Sequence, residues 1–126
     1  MIMERISASN APSAIGPYSQ AIKSGDFIFV SGQLPVIPAT GELLTGDIKE
    51  QTRCVFGNIS AILKEAGSDL DKIVKATVFL TDLGKFGDVN EAYGEFFGEI
   101  PPARACFQVA ALPRNAEIEI EVVAEA

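Results

Sequence analysis

Apolar positions along the chain follow two periods, one of strands and one of helices. Phe27-Ile28-Phe29-Val30 is apolar at every position and is bounded by Ser24-Gly25-Asp26 and Ser31-Gly32-Gln33. This predicts a central strand buried on both faces, with Ala21–Ser24 as its hairpin partner. A short strand over Met3–Ser7 precedes them, and Ala11–Ser19, rich in Pro, Ser and Gly, reads as a loop. The Pro- and Gly-containing stretch Leu34–Gly46 reads as a second loop. Asp47 can then cap a helix whose apolar positions Ile48, Val55, Phe56, Ile59, Ile62, Leu63 and Ala66 fall near helical spacing, with Gly67 placed to end it.

Ile73–Leu80, β-branched and apolar, predicts a second buried strand. Thr81 and Asp82 are alternative caps for a second helix over about Leu83–Phe97, with Phe86, Val89, Tyr93, Phe96 and Phe97 as its inward stripe. Gly84, Gly87 and Gly94 make that helix weak on its own. Pro101-Pro102 stops it, Ala103–Ala110 reads as a strand, and Leu112–Asn115 turns the chain into a last strand, Glu117–Ala124. In that last strand Ile118, Ile120 and Val122 alternate with Glu117, Glu119 and Glu121. The order predicts one α+β domain over residues 1–126, a mixed sheet with two helices on one face. Strands apolar on both sides leave the opposite face to be covered by another subunit.

Composition narrows the chemistry. The chain has 126 residues, 48% of them hydrophobic and 21% charged, enough for a two-layer core without a disulfide or structural metal. Its net charge is −7, which argues against nucleic acid and against an anionic membrane surface as partners. There is no histidine, so Ser/His and Cys/His nucleophile systems are excluded, and Cys54 and Cys106 cannot supply a zinc site by themselves. A site without metal is expected. The N-terminal segment mixes charge with apolar residues and no stretch is long and apolar enough to span a bilayer, so a soluble, cytoplasmic protein with free thiols is expected.

Several residues could carry chemistry. Arg104, following Pro101-Pro102-Ala103, is either held in a site, where its planar fork can grip a carboxylate, or turned outward at a strand end. Cys106, two residues on, shares its face and is either a buried inert thiol or part of that site. Glu117, Glu119 and Glu121 form either a solvated strand face or an acidic row. If the last two strands pair as an antiparallel hairpin, Cys106 lies opposite Glu119 and Arg104 opposite Glu121. Asn90, beside the apolar stripe of the second helix, either caps a neighbouring strand end or holds a site loop. Ser31 and Gly32 end a buried strand where a ligand can approach the backbone, or simply turn the chain. Tyr18, in Gly16-Pro17-Tyr18-Ser19-Gln20, is a lid or a packed ring.

Taken together, these segments resemble the RidA/YjgF family of reactive intermediate deaminases. The resemblance is carried by Ala14–Gln20, Val30–Pro35, Thr40-Gly41-Glu42, Val74–Leu80 with Asp82-Leu83, Val89–Tyr93, Phe96-Phe97, Pro102–Cys106, Val109, Leu112-Pro113 and Ile118–Glu121, in order along nearly the whole chain. Gln108, where an acid is common, and a short link from Phe97 to Pro102 are departures outside the proposed site. The resemblance implies a chorismate-mutase-like fold, a homotrimer with a central β-barrel, and sites in the clefts between subunits. It implies hydrolysis of 2-imino acids, such as 2-iminobutanoate and 2-iminopropanoate released by pyridoxal-phosphate-dependent dehydratases, to 2-keto acids and ammonia, with no cofactor. Carried over by motif, Arg104 would bind the substrate carboxylate, helped by Tyr18, Ser31, Asn90 and the backbone around Gly32 and Cys106, and Glu119 would hold or activate the attacking water. A non-catalytic binder of small 2-keto or amino carboxylic acids is the competing reading. The endoribonuclease or translation-inhibitor activity attributed to some relatives is a third, disfavoured by the charge and the lack of histidine.

Overall fold

The computed structural model describes residues 2–126. Six strands form one sheet in the order β1-β2-β3-β6-β4-β5: β1 Glu4–Ile6, β2 Ala21–Ser24, β3 Phe27–Gln33, β4 Ile73–Leu80, β5 Ala103–Gln108 and β6 Ile118–Glu125. All neighbouring pairs are antiparallel except β4 and β5, which run parallel. Helix α1, Ile48–Glu65, and helix α2, Phe86–Gly94, account for the two predicted helices. Asp47 caps α1 by accepting from the Lys49 amide at 2.9 Å, and Gly67, at φ +82°, leaves the helix in the left-handed conformation that favours glycine.

The core lies between one sheet face and α1. Ile28 and Val30 of β3, Ala76, Val78 and Leu80 of β4, and Ile118, Ile120 and Val122 of β6 meet Val55, Phe56, Ile59, Ile62 and Leu63 of α1. Helix α2 is weaker than its predicted span. The stretch Leu83–Lys85 is a single 3₁₀ turn, with the Asp82 carboxylate accepting from Gly84 N at 2.8 Å, and the α-helix ends at Gly94. What fixes it is aromatic packing: Phe56 of α1 stacks on Phe96 at 4.7 Å and meets Tyr93 and Phe97 edge-on at 5.5 and 5.6 Å. That cluster sets where the outer face of α2 stands relative to β5.

Two expectations are corrected. The strand β3 is not buried on both faces within the chain: Ile28 and Val30 face the core, while Phe27 and Phe29 are 41% and 48% exposed. Likewise β4 buries mainly one side. The second sheet face, with Phe27, Phe29, Phe107 and the stacked pair Phe79–Phe107, is uncovered in the single chain. Second, β5 and β6 do not form a hairpin. The strand β4 lies between them, and the connecting segment straddles its end, with Val109 N donating to Leu80 O at 2.8 Å and Thr81 N donating to Glu117 O at 3.2 Å. A strand-helix-strand sequence (β4, α2, β5) favours parallel pairing, and here it prevails over the short link between β5 and β6.

Candidate functional site

A β-bulge builds the first half of the site. Val30 pairs with Val122 and Gln33 with Ile120, so Ser31 and Gly32 together oppose the single residue Glu121. The bulge is tied from both sides: Ser31 Oγ donates to Ser19 O at 2.6 Å, and Gln33 Nε2 donates to Ser31 O at 3.1 Å. Behind it, buried Gln20 fastens the N-terminal segment through its Oε1, which accepts from Ala8 N at 2.6 Å, and its Nε2, which donates to Pro12 O at 2.7 Å. The resulting cleft, about 650 Å³, is lined by Tyr18, Ser31, Gly32, Leu34, Arg114 and Glu119 among others.

Glu119 occupies the space a side chain at position 32 would fill. A Cβ built on Gly32 would stand 2.5 Å from Glu119 Oε2 and 2.8 Å from its Cδ, so only glycine admits the carboxylate here. Burial, and then the charge of Glu121, push the Glu119 carboxyl above the ordinary carboxylate range. Gly32→Ala is therefore expected to displace that carboxylate, lowering the rate of any step it serves about tenfold or more, with little loss of stability because the end of a flexible side chain at an open cleft can shift. Steady-state kinetics beside thermal unfolding check this; a variant with wild-type kcat would show that the contact does not matter.

The second half is on the other side of the sheet, where edge strand β5 meets α2. Arg104 donates through Nη1 to Asn90 Oδ1 at 2.8 Å, and its Cζ lies 4.7 Å from the Tyr93 ring centroid and 5.3 Å from that of Phe86. Among the described residues no carboxylate pairs with it. Arg104, Asn90, Tyr93 and Pro102 line a second cleft of about 460 Å³ that shares no residue with the first. Cys106 is half-buried on the same strand face; burial raises its thiol pKa and Arg104 pulls it partly back, so it is a protonated thiol at neutral pH.

The expected residues thus fall into two groups. Tyr18, Ser31, Gly32 and Glu119 come together, Asn90 and Arg104 come together, and one chain does not join the groups. The anticipated pairing of Cys106 with Glu119 and Arg104 with Glu121 is overturned by register: Cys106 pairs with Val78 and Arg104 with Ala76, while Glu119 pairs with Phe79 and Glu121 with Thr77, on the opposite sheet face. The acidic row also loses a member. Glu117 lies in a bend before β6 and turns to the helix side, where its carboxylate accepts from Gln51 Nε2 at 3.0 Å and pairs with Lys85, both of which hold its pKa down. Tyr18 keeps its hydroxyl near home, accepting from Ile15 N at 3.3 Å.

Phe86 and Tyr93, read from sequence only as packing residues, touch the guanidinium. Their spacing with Asn90, at i, i+4 and i+7, was the available signal, since it puts all three on one helical stripe. Among the described residues no three His, Cys, Asp or Glu side chains cluster as metal ligands, and no helix is long and apolar enough to cross a membrane.

Comparison with known proteins places these features in a wider set. The family model described as Endoribonuclease L-PSP matches residues 8–126. A RutC family protein of Pyrococcus abyssi is 55% identical over 98% of this chain and 98% of its own. The 2-iminobutanoate/2-iminopropanoate deaminase of Mus musculus is 46% identical over 98% of this chain and 92% of its own. Among solved structures, that of E. coli TdcF with bound serine superposes with a TM-score of 0.92 at 44% identity, covering 98% of each chain.

Proposed function

The chain belongs to the RidA/YjgF family, whose model carries the description Endoribonuclease L-PSP, and from that premise we propose that it hydrolyses reactive 2-imino acids, such as 2-iminobutanoate and 2-iminopropanoate, to 2-keto acids and ammonia in the cytoplasm. The observation that carries this reading is an aromatic-flanked guanidinium with no carboxylate partner among the described residues, Arg104, in a chain that also presents a half-buried carboxylate, Glu119, beside an open bulge. The first suits the carboxylate that every 2-imino acid carries, and the second suits the water that attacks its C=N carbon.

The two groups sit in separate clefts of one chain, and the uncovered sheet face with Phe27, Phe29 and Phe107 gives copies of the chain a surface to share. The reading therefore includes a homotrimer around a central β-barrel, in which the Glu119 cleft of one protomer closes on the Arg104 cleft of its neighbour. There Arg104 binds the carboxylate bidentately, with Tyr18, Ser31, Asn90 and the backbone at Gly32 and Cys106 shaping the pocket. Water held by Glu119 adds to the imine carbon, its proton passing to Glu119. The C–O bond forms as the C=N π pair moves to nitrogen, and Glu119 then returns its proton to the amino nitrogen. The tetrahedral adduct breaks its C–N bond to expel ammonia as the C=O forms and the hydroxyl proton passes back to the Glu119 carboxylate, from which the departing ammonia takes it. A protonated imine is already electrophilic, so positioning and one proton carrier meet the demand without cofactor or metal. The serine held by TdcF, a small amino acid with the same carboxylate, supports a ligand of this class. The endoribonuclease of the family description suits the chain less well: a net charge of −7 and no histidine provide little affinity for phosphates and no neutral-pH base of that type.

The test is a dehydratase generating 2-iminobutanoate in the presence of semicarbazide. The protein should lower semicarbazone formation; a pure binder of keto or amino acids leaves it unchanged. The same assay addresses the shared site. Co-expressed Arg104→Ala and Glu119→Gln chains, each inactive alone, should recover about a quarter of wild-type activity, because random pairing leaves about that share of seams with both groups intact. No recovery in mixed trimers would mean that each site draws both groups from one chain.

A further inference from the structure

Arginine at a strand edge carries a long, many-rotamer side chain, and binding a small anion must freeze it unless the fold has already done so. Arg104 is already held. The Tyr93 and Phe86 ring centroids lie 4.7 and 5.3 Å from its Cζ, and Asn90 Oδ1 accepts one of its N–H bonds at 2.8 Å. These three contacts come from one stripe of α2 covering two helical turns. Ring contacts attract the cation without consuming its N–H donors, so with a single donor spent on Asn90 the rest of the fork stays available. Tyr93 is itself immobile: it is 5% exposed, edge-on to Phe56 at 5.5 Å and against Phe97 at 4.8 Å. Its hydroxyl is buried with no hydrogen-bond partner among the described residues, so what Tyr93 offers the guanidinium is its ring.

We propose that Phe86 and Tyr93 are positioning residues that hold the Arg104 guanidinium in its anion-gripping orientation before substrate arrives, an inference that rests on the reading of Arg104 as the carboxylate anchor. Pre-orientation of this kind acts on ground state and transition state alike, so its loss appears in KM and not in kcat. The experiment measures steady-state constants for the imine and calorimetric binding of 2-oxobutanoate. Tyr93→Leu and Phe86→Leu, which keep apolar bulk and lose the π face, should each raise KM and Kd by about three- to thirtyfold with kcat held within about twofold. Tyr93→Phe should restore both constants, since the ring remains. Leucine variants with wild-type KM and Kd would overturn the proposal, as would a Tyr93→Phe variant as weak as Tyr93→Leu, which would assign the effect to the hydroxyl. Should Tyr93→Leu fail to fold, as judged by circular dichroism, the half-buried Phe86→Leu together with Tyr93→Phe still decides the matter. Arg104→Ala separates the two layers: if it binds 2-oxobutanoate normally, the anchor reading fails; if it loses binding while the leucine variants keep theirs, only the clamp fails.

Discussion

Arg104→Ala is expected to abolish imine hydrolysis while leaving the fold intact. Two charge-assisted hydrogen bonds to a carboxylate, at about 1.5–3 kcal/mol each, amount to roughly 3–6 kcal/mol, or about 10²- to 10⁴-fold in kcat/KM. The structural cost is small by comparison. The side chain is exposed on an edge strand, pairs with no acid among the described residues, and contributes to the fold only its contacts with Asn90, Phe86 and Tyr93. Arg104→Lys should fall between, because an ammonium keeps the charge but loses the planar fork and most of the ring stacking. The trap assay reports activity, and thermal unfolding with a solution mass reports fold and assembly. Full activity in Arg104→Ala would assign carboxylate capture to another residue, for which Arg114, a cation on the wall of the Glu119 cleft, is the next candidate.

How far the sequence reached depended on whether the physics was local. The helix Ile48–Glu65 was legible because its cap, its apolar stripe and its terminating glycine all lie within the segment itself. The bounds of β4 were legible for the same reason, as a β-branched run between turn signals. Strand pairing is not local. The short stretch 111–116 between the two strands read from the sequence suggests a hairpin, and only the insertion of β4 between β5 and β6 decides that Arg104 and Glu119 face opposite ways. Glu117 deviates from the acidic alternation because Gln51 and Lys85, distant in sequence, draw it to the helix layer. Ser31 and Gly32 read locally as a place of close approach, but that the approaching group is the Glu119 carboxylate depends on a bulge whose register no single segment encodes. The family motifs mark residues along the chain, and the topology divides those residues between two clefts.

Glu119→Gln should separate catalysis from stability in opposite directions. As proton acceptor for the attacking water, the carboxylate is worth about 10²- to 10⁴-fold, so kcat should fall by that order while KM for the imine stays near wild type. Equal losses in kcat and binding would reduce Glu119 to a wall of the pocket. The pH dependence gives the second signature. Burial and the neighbouring Glu121 raise the Glu119 carboxyl above the ordinary carboxylate range, so wild-type kcat should decline on acidification through a midpoint above that range, and the residual rate of Glu119→Gln should lack this limb. Stability runs the other way. A carboxyl with a raised folded-state pKa favours the fold while protonated, and that contribution is present below the unfolded pKa and lost as pH rises through the folded value. At neutral pH the wild type therefore holds an ionised, half-buried carboxylate that the glutamine variant does not. The variant should melt higher than wild type at neutral pH, with the difference closing toward the acid side. A variant less stable at neutral pH would mean that the Glu119 charge is satisfied in the fold, which is incompatible with a carboxylate waiting for a water and a cationic imine.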